Sequence, residues 1–365
     1  MRRINFISNL GVISAFTFVP FHKIFGRKLN TDYPELWTEL VDYARWCPSP
    51  HNVQPWKVKV ISSEEAHLYY DPQRIPIVVD GTSAFTTTGL GMFIECLNIA
   101  ASKYGYKITA EHEDENFLDC TSTHLKMFAR LRLNKSIESI NIDRELIKKR
   151  KTSRMHYDGR TIPSDLVNNL KKIANEYGHD FVFSTDSELI KFAIDLNSKS
   201  VLMRSQEEAA RKEMCKWIRT TDEEAEKKKD GWWYRCTGIS GAMLYNFFSH
   251  HERFESRWKT KKANKILNRS MSGTGNLAWI SGPFEKRGDW VNAGTMLQRL
   301  WLEITKHNVY MHPFGPVITT PGSNEKFGKK INFSKDNNQL WFLVRLGYSN
   351  EPPRSFRLEA KDIFV

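Results

Sequence analysis

Apolar positions recur along this chain with two periods, and the change from one to the other divides it into helices and strands. Leu36, Leu40, Val41 and Ala44 share one helical face, behind Pro34 in the first turn and a cap at Thr31 or Asp32. Residues 57–61 alternate as a strand does, and a second strand is expected about 67–71. A long, almost wholly apolar helix follows from about 87 to 104, stopped by Gly105. Strand patterns cover 106–111 and 125–133, and the polar stretch 134–144 is the candidate boundary between two halves. Beyond it come residues 146–154, then a helix from Pro163 to Tyr177 capped by Ser164 or its neighbour, and a short strand at 181–184. Residues 197–275 form a highly charged, helix-rich insert with Trp217, Trp232, Trp233 and Trp258. A strand at 277–281, a long helix at 290–307 and a strand at 339–348 complete the pattern.

The two long helices match. Setting Gly91 against Gly294 pairs Ile94 with Leu297, Leu97 with Leu300 and Ile99 with Leu302. The order helix, strand, long helix, strand recurs as well, which favours a duplicated α+β unit over a chance match of two stripes. The expected organisation is a leader at 1–30, a first half at 31–140, and a second half at 141–365 that carries the insert.

Between the first helix and the first strand stand three prolines, Pro48, Pro50 and Pro55. Each fixes its own φ and disfavours the α region for its predecessor, so the connection is a stiff extended loop. Ser49, Asn52 and Gln54 ride on it as short donors and acceptors at fixed places. Such a loop suits the polar edge of a planar heterocycle; it equally suits a helix-to-strand corner capped by its own Ser and Asn. At the opening of the second half, Arg150, Thr152 and Arg154 alternate and point one way if the segment is extended. Two guanidiniums and a hydroxyl on one side can clamp a phosphate; a basic linker in a basic protein is the plain alternative.

Pro48-Ser49-x-x-Asn52-x-Gln54-Pro55-Trp56 resembles the flavin-contacting loop of the nitroreductase superfamily. In that superfamily an R-x-S/T-x-R segment grips the phosphate and ribityl chain of FMN, and Arg150-x-Thr152-x-Arg154 is similar to it. Ordinary members carry both motifs in one short stretch and bind FMN at a dimer interface. Here the loop stands only in the first half and the clamp only in the second, so the resemblance implies a fused pseudo-dimer that keeps one flavin site of two. It further implies a nitroreductase-like α+β fold and a monomer with an internal pseudo-two-fold. Trp290-x-x-x-Gly294-x-x-x-Gln298-Arg299-x-Trp301 resembles the family's long helix, and Pro313 and Gly315 fall where family backbone amides approach the flavin. Arg354 or Arg357, after Arg345-Leu346-Gly347-Tyr348, would supply a second phosphate-binding base.

Composition narrows the class without naming the chemistry. At 365 residues, 40% apolar and 12% aromatic, the chain can bury a large core, which excludes disorder, a collagen-like repeat and a multi-span membrane protein. A net charge of +12 suits an anionic ligand, yet the lysines are scattered on helix faces and no nucleic-acid-binding pattern accompanies them. Five cysteines form no C-x-x-C pair and sit among apolar neighbours, and no metal-ligand spacing occurs. Gly273-x-Gly275-x-x-Ala278 fits a dinucleotide fingerprint, but a helix precedes it and a strand follows, the reverse of what that turn requires. Arg2-Arg3 followed by a moderately apolar run and Phe6 resembles a twin-arginine export signal, which points to the periplasm or to association with a membrane through the N-terminus. The leading expectation is an FMN-dependent oxidoreductase passing hydride through flavin N5, from NAD(P)H or another donor, to a small electrophilic acceptor, with no catalytic side chain. A flavin-sequestering protein closed by the insert, and a basic envelope-associated binding protein without flavin, are the alternatives.

Overall fold

The structure is a computed structural model and describes residues 35–112, 117–250, 256–334 and 338–365. The expected leader, the caps Thr31 and Asp32, and Pro34 lie outside the described residues. The chain folds into a mixed α+β architecture of two four-stranded antiparallel sheets, joined through two long helices and elaborated by a helical excursion.

The first half runs α1 (Glu35–Ala44), β1 (Trp56–Val60), β2 (Glu65–Tyr70), α2 (Ala84–Ser102), β3 (Tyr106–His112) and β4 (Lys126–Lys135). Its sheet order is β1-β2-β4-β3. A short helix α3 (Glu145–Lys149) then leads into α4 (Ser164–Glu176) and β5 (Asp180–Ser184). The excursion comprises α5 (Ser187–Gln206), α6 (Glu208–Trp217), β6 (Ile218–Arg219), α7 (Asp222–Lys228), β7 (Trp232–Trp233), α8 (Gly241–Ser249) and α9 (Arg257–Ser270). Its helical content begins at Ser187, earlier than the expected 197, because Asp186 caps α5 by accepting from the Leu189 N–H. The second half resumes with β8 (Asn276–Gly282), α10 (Arg287–Lys306), β9 (Tyr310–Pro313), α11 (Gly315–Thr319), α12 (Ser323–Lys330) and β10 (Gln339–Gly347). The second sheet has the order β5-β8-β10-β9, the same sequence of first, second, last and third strand as the first sheet. Each half also places a helix before its first strand and a long helix between its second and third.

Helix α2 is buried along nearly its whole length, which is why its sequence is apolar on every face. It is long and apolar enough to cross a membrane, but it is the core helix of this fold. It crosses α10 at the two aligned glycines. A Cβ on Gly294 would stand 2.2 Å from the Thr88 carbonyl oxygen, and one on Gly91 would stand 2.5 Å from that of Val291. Only hydrogen at both positions permits this backbone-to-backbone approach. Beside the crossing, the Arg299 guanidinium of α10 reaches Glu95 of α2 at 2.7 Å, and Asn98 also donates to that carboxylate. Burial raises the pKa of Glu95 above the usual range in spite of Arg299. One continuous hydrophobic core packs α1, α2, α4 and α10 against both sheets.

Candidate anion and ring-binding site

The Pro-rich loop is held in an unusual backbone conformation. His51, Asn52 and Gln54 all have positive φ, at 47°, 59° and 51°. Each such non-glycine residue costs on the order of 1–3 kcal/mol, and three within four positions mark a segment fixed by its surroundings. Pro48, Ser49 and Pro50 rest on α2 at Gly89, where an added Cβ would already be in contact with all three. The Ser49 hydroxyl accepts the Gln54 N–H at 3.0 Å. Gln54 donates to the carbonyls of Asn52 and Lys229 and accepts from the Leu358 N–H at 2.9 Å. The Asn52 amide donates to the carbonyls of Gly231 and Phe356, both at 3.1 Å. The amide edge expected to face a ligand is therefore engaged by the excursion and by the C-terminal tail. Two buried atoms of the loop have no partner, Asn52 Oδ1 and His51 Nδ1.

The clamp divides in two. Arg150 leaves the end of α3, lies 4.5 Å over the Trp301 ring and donates to the Trp46 carbonyl at 3.3 Å, while its Nε and Nη1 are buried without a partner. Arg354 stacks 3.7 Å over the Trp46 ring, and Arg357 stands 5.9 Å from it. Arg354 Nη2 and Arg357 Nε are also buried and unpartnered. Burial, with the neighbouring guanidiniums adding to it, lowers Arg150 to about 10 and Arg357 to about 9. Arg354 falls to about 10 through burial and then the nearby Arg45. No carboxylate among the described residues pairs with any of the three. The expectation named Arg354 or Arg357; the structure brings both to Arg150.

Arg154 turns elsewhere. The backbone of 150–154 runs beside β9 through a parallel bridge between Thr152 and Met311. Ser153 points inward to Ser349, leaving Arg154 on the outer side, 4.7 Å over the Trp232 ring and donating to the Cys236 carbonyl at 3.2 Å. His51 meets the same indole edge-on at 5.4 Å. Burial, with Arg154 second, lowers His51 to about 4; burial, then Arg345 and Arg154, holds His312 well below its ordinary value. Both imidazoles are neutral at pH 7. His312 Nδ1 accepts from Arg345 Nε at 3.0 Å, so its proton sits on Nε2. Pro313 pairs with Val344 at the end of β9, next to this cluster, and Gly315 opens α11 with free space where a side chain would be.

Arg150, Arg354 and Arg357 thus gather at Trp46, and Asn52 and Arg154 gather at residues 231–236, with the tail 354–358 running between the groups. Trp46, His51, Trp232 and Cys236 were not singled out from the sequence as site residues. Trp46 stood beside the Pro-rich loop, and the Trp232-Trp233 pair was visible only as part of a charged insert. The Gly273–Gly275 turn packs against the backbone of Tyr157 and Gly159, as a loop between α9 and β8. A groove of about 920 Å³ between α5, α9 and α12 shares no residue with the site.

No protein-family model matches the chain, and no curated protein matches it in sequence. Solved structures resemble it in part of its fold, among them nitroreductase-like proteins. The nitroreductase-like family protein from Bacillus cereus is 13% identical over 61% of this chain and 94% of its own, with a TM-score of 0.33. An FMN-bound nitroreductase from Desulfitobacterium hafniense is 13% identical over 60% of this chain and 95% of its own, with a TM-score of 0.36. Iodotyrosine deiodinase bound to FMN and 3-iodo-L-tyrosine is 18% identical over 59% and 93%, with a TM-score of 0.33. These are likenesses of fold alone; the chemistry of the site rests on its own residues.

Proposed function

We propose that this protein is an FMN-dependent oxidoreductase of nitroreductase type, acting on a small electrophilic acceptor with NAD(P)H or another donor. The observation that carries the reading is the cluster of Arg150, Arg354 and Arg357, three guanidiniums with buried, unpartnered N–H groups and no counter-charge among the described residues. Burying a cation without a partner costs several kcal/mol, and buried donors are almost always paired, so such a cluster is the signature of an anion site. A terminal phosphate fits it, because planar guanidinium forks match phosphate oxygens bidentately. Asn52 Oδ1 and His51 Nδ1 would meet donors on the polar edge of a ring. FMN, when bound, would supply the hydride chemistry at its N5. The chain's residues would bind the phosphate and orient the ring through the strained loop, with His51 and His312 neutral beside it. The equal strand order of the two sheets supports reading the halves as repeats that share this one site.

The test is the absorption spectrum of the purified protein after FMN addition and desalting, followed by NADPH and then a nitroaromatic. Retained yellow colour that bleaches and returns supports the reading; no FMN retained and no FMN binding refutes it. A flavin-holding protein with little turnover is the second reading, favoured by the bonds from Asn52 and Gln54 to residues 229–231. Bleaching by dithionite but not by NAD(P)H would establish it instead.

A further inference from the structure

The segment from Lys229 to Cys236 joins the Pro-rich loop to Arg154, the two parts expected to share one flavin site. The Gly231 N–H donates to the Asn52 carbonyl at 3.1 Å, and the Asn52 amide returns a bond to the Gly231 carbonyl. The next residue, Trp232, lays its indole under Arg154 and against His51. Two consecutive residues of the excursion therefore span the whole distance from the loop to the second arginine of the clamp. Past them, Trp233 packs on Phe356 at 5.1 Å and the Cys236 carbonyl takes the Arg154 hydrogen bond.

The closed position is built. Asp230, just ahead of the indole, is gripped by Arg219 at 2.6 Å and by Arg74 of the first half at 2.5 Å. Lys229 forms an ion pair with Glu359 of the tail. Gly231 has φ of +73°, and a Cβ there would stand 2.5 Å from the Trp217 carbonyl oxygen, so only glycine lets the chain pass at this point. Trp232 and Trp233 pair in parallel with Ile218 and Arg219. A lid above a ring would lie outside the span between Asn52 and Arg154; this segment lies within it.

We propose that residues 229–236 are a self-inhibitory strap, in which the Trp232 indole holds the place of the planar ring of the ligand, so that ring binding and strap release are one equilibrium. This rests on the FMN reading above. An indole is a flat fused bicycle and offers Arg154 the same kind of aromatic face that a heterocycle would. The strap meets the tail through Trp233 on Phe356 and Cys236 on Ser355, but it forms no hydrogen bond with the guanidiniums of Arg150, Arg354 or Arg357, so an anionic ligand can dock by its phosphate first and displace the indole second. Apparent affinity is then lowered by the fraction of molecules in which the strap is closed.

The experiment is FMN titration of the full chain, read by quenching of flavin fluorescence, for wild type, Trp232→Ala, Trp232→Phe and Asp230→Asn, with circular dichroism as the folding check. The expected result is at least tenfold tighter binding by Trp232→Ala, a gain of the same sign for Asp230→Asn, and a smaller gain for Trp232→Phe. Saturating FMN should also speed trypsin cleavage of wild type after Lys229 and Arg235 at least fivefold. FMN binding that Trp232→Ala leaves unchanged or weakens, or protection of the strap by FMN, overturns the strap while the flavin reading stands. Absence of FMN binding in all four proteins overturns both.

Discussion

Replacing Arg150 by methionine separates a binding arginine from a structural one, because the two roles predict opposite outcomes. In the folded protein burial lowers the Arg150 pKa to about 10, more than two units below its ordinary value. At about 1.4 kcal/mol per unit, that disfavours the charged side chain by roughly 3 kcal/mol. Against this stand one hydrogen bond to the Trp46 carbonyl, contributing about 1 kcal/mol, and stacking on Trp301, contributing about 1–2 kcal/mol. Methionine keeps an aliphatic stem over Trp301, so the net change in phosphate-free buffer lies within about 1 kcal/mol of zero. For a chain of this length that is roughly 1 °C in Tm. A paired buried arginine would instead lose about 3–5 kcal/mol on truncation. Addition of FMN or inorganic phosphate reverses the comparison. Wild type gains stability through the three guanidiniums, and R150M binds about 10- to 100-fold more weakly, the equivalent of one charge-assisted hydrogen bond of about 1.5–3 kcal/mol. The assay is thermal unfolding with and without ligand, alongside FMN titration. Loss of 3 kcal/mol or more by R150M in phosphate-free buffer, or retention of the ligand-induced rise in Tm, would refute the anion-site reasoning.

Three further outcomes follow from the packing. Gly294→Ala forces the α2–α10 crossing apart and should destabilise by about 3 kcal/mol, at the upper end for an overpacked core; a Tm within 1 °C of wild type would show that the crossing is not close. Arg299→Ala leaves Glu95 buried beside a single amide donor and should cost about 3–5 kcal/mol in urea unfolding at neutral pH, with partial recovery on acidification as the carboxyl, raised by burial and no longer held down by Arg299, protonates; a loss that does not change with pH would contradict this. Asp80 is raised to about 6 by burial, which outweighs its bonds from Thr86 and the Phe85 N–H. A carboxyl with a raised folded pKa contributes stability that is full below its unfolded value near 4 and is lost as pH rises through about 6, here roughly 3 kcal/mol. The difference in unfolding free energy between wild type and Asp80→Asn should therefore shift by that amount from pH 4 to pH 7, and a constant difference would disprove the assignment.

What the sequence made legible was set by local pattern. Helices α2 and α10 stand out because burial removes polar residues from most of their faces; their glycines aligned in the sequence, but that the helices cross at them appears only in the structure. The Arg150-x-Thr152-x-Arg154 alternation and the Arg354/Arg357 pair were visible as charges in a repeated frame. Helix α3 was not, since five residues, Glu145–Lys149, carry too little periodicity, and β9 was hidden because His312 and Pro313 break a strand pattern. Arg345 does lie in the terminal strand, as expected, but its full burial, with donors to His312, Thr274 and Met155, was not visible. The pairing of Asn52 with Gly231 joins positions 179 residues apart, and no local property of either residue announces it. Likewise, nothing in the spelling Gly231-Trp232 distinguishes an indole placed under Arg154 from one on an exposed helix face.

The glycine contact between α2 and α10 also decides how a molecule could get in. Where two main chains touch, no side chain is available to yield, so the halves cannot part like jaws without sliding two complete helices. Trp46 follows the first helix and Arg150 packs on Trp301 of the second long helix, so the spacing between Trp46 and Arg150 is set by that rigid seam. On the proposed reading it is the excursion, a door hung on the frame, that would yield to the ring while the frame keeps its gauge.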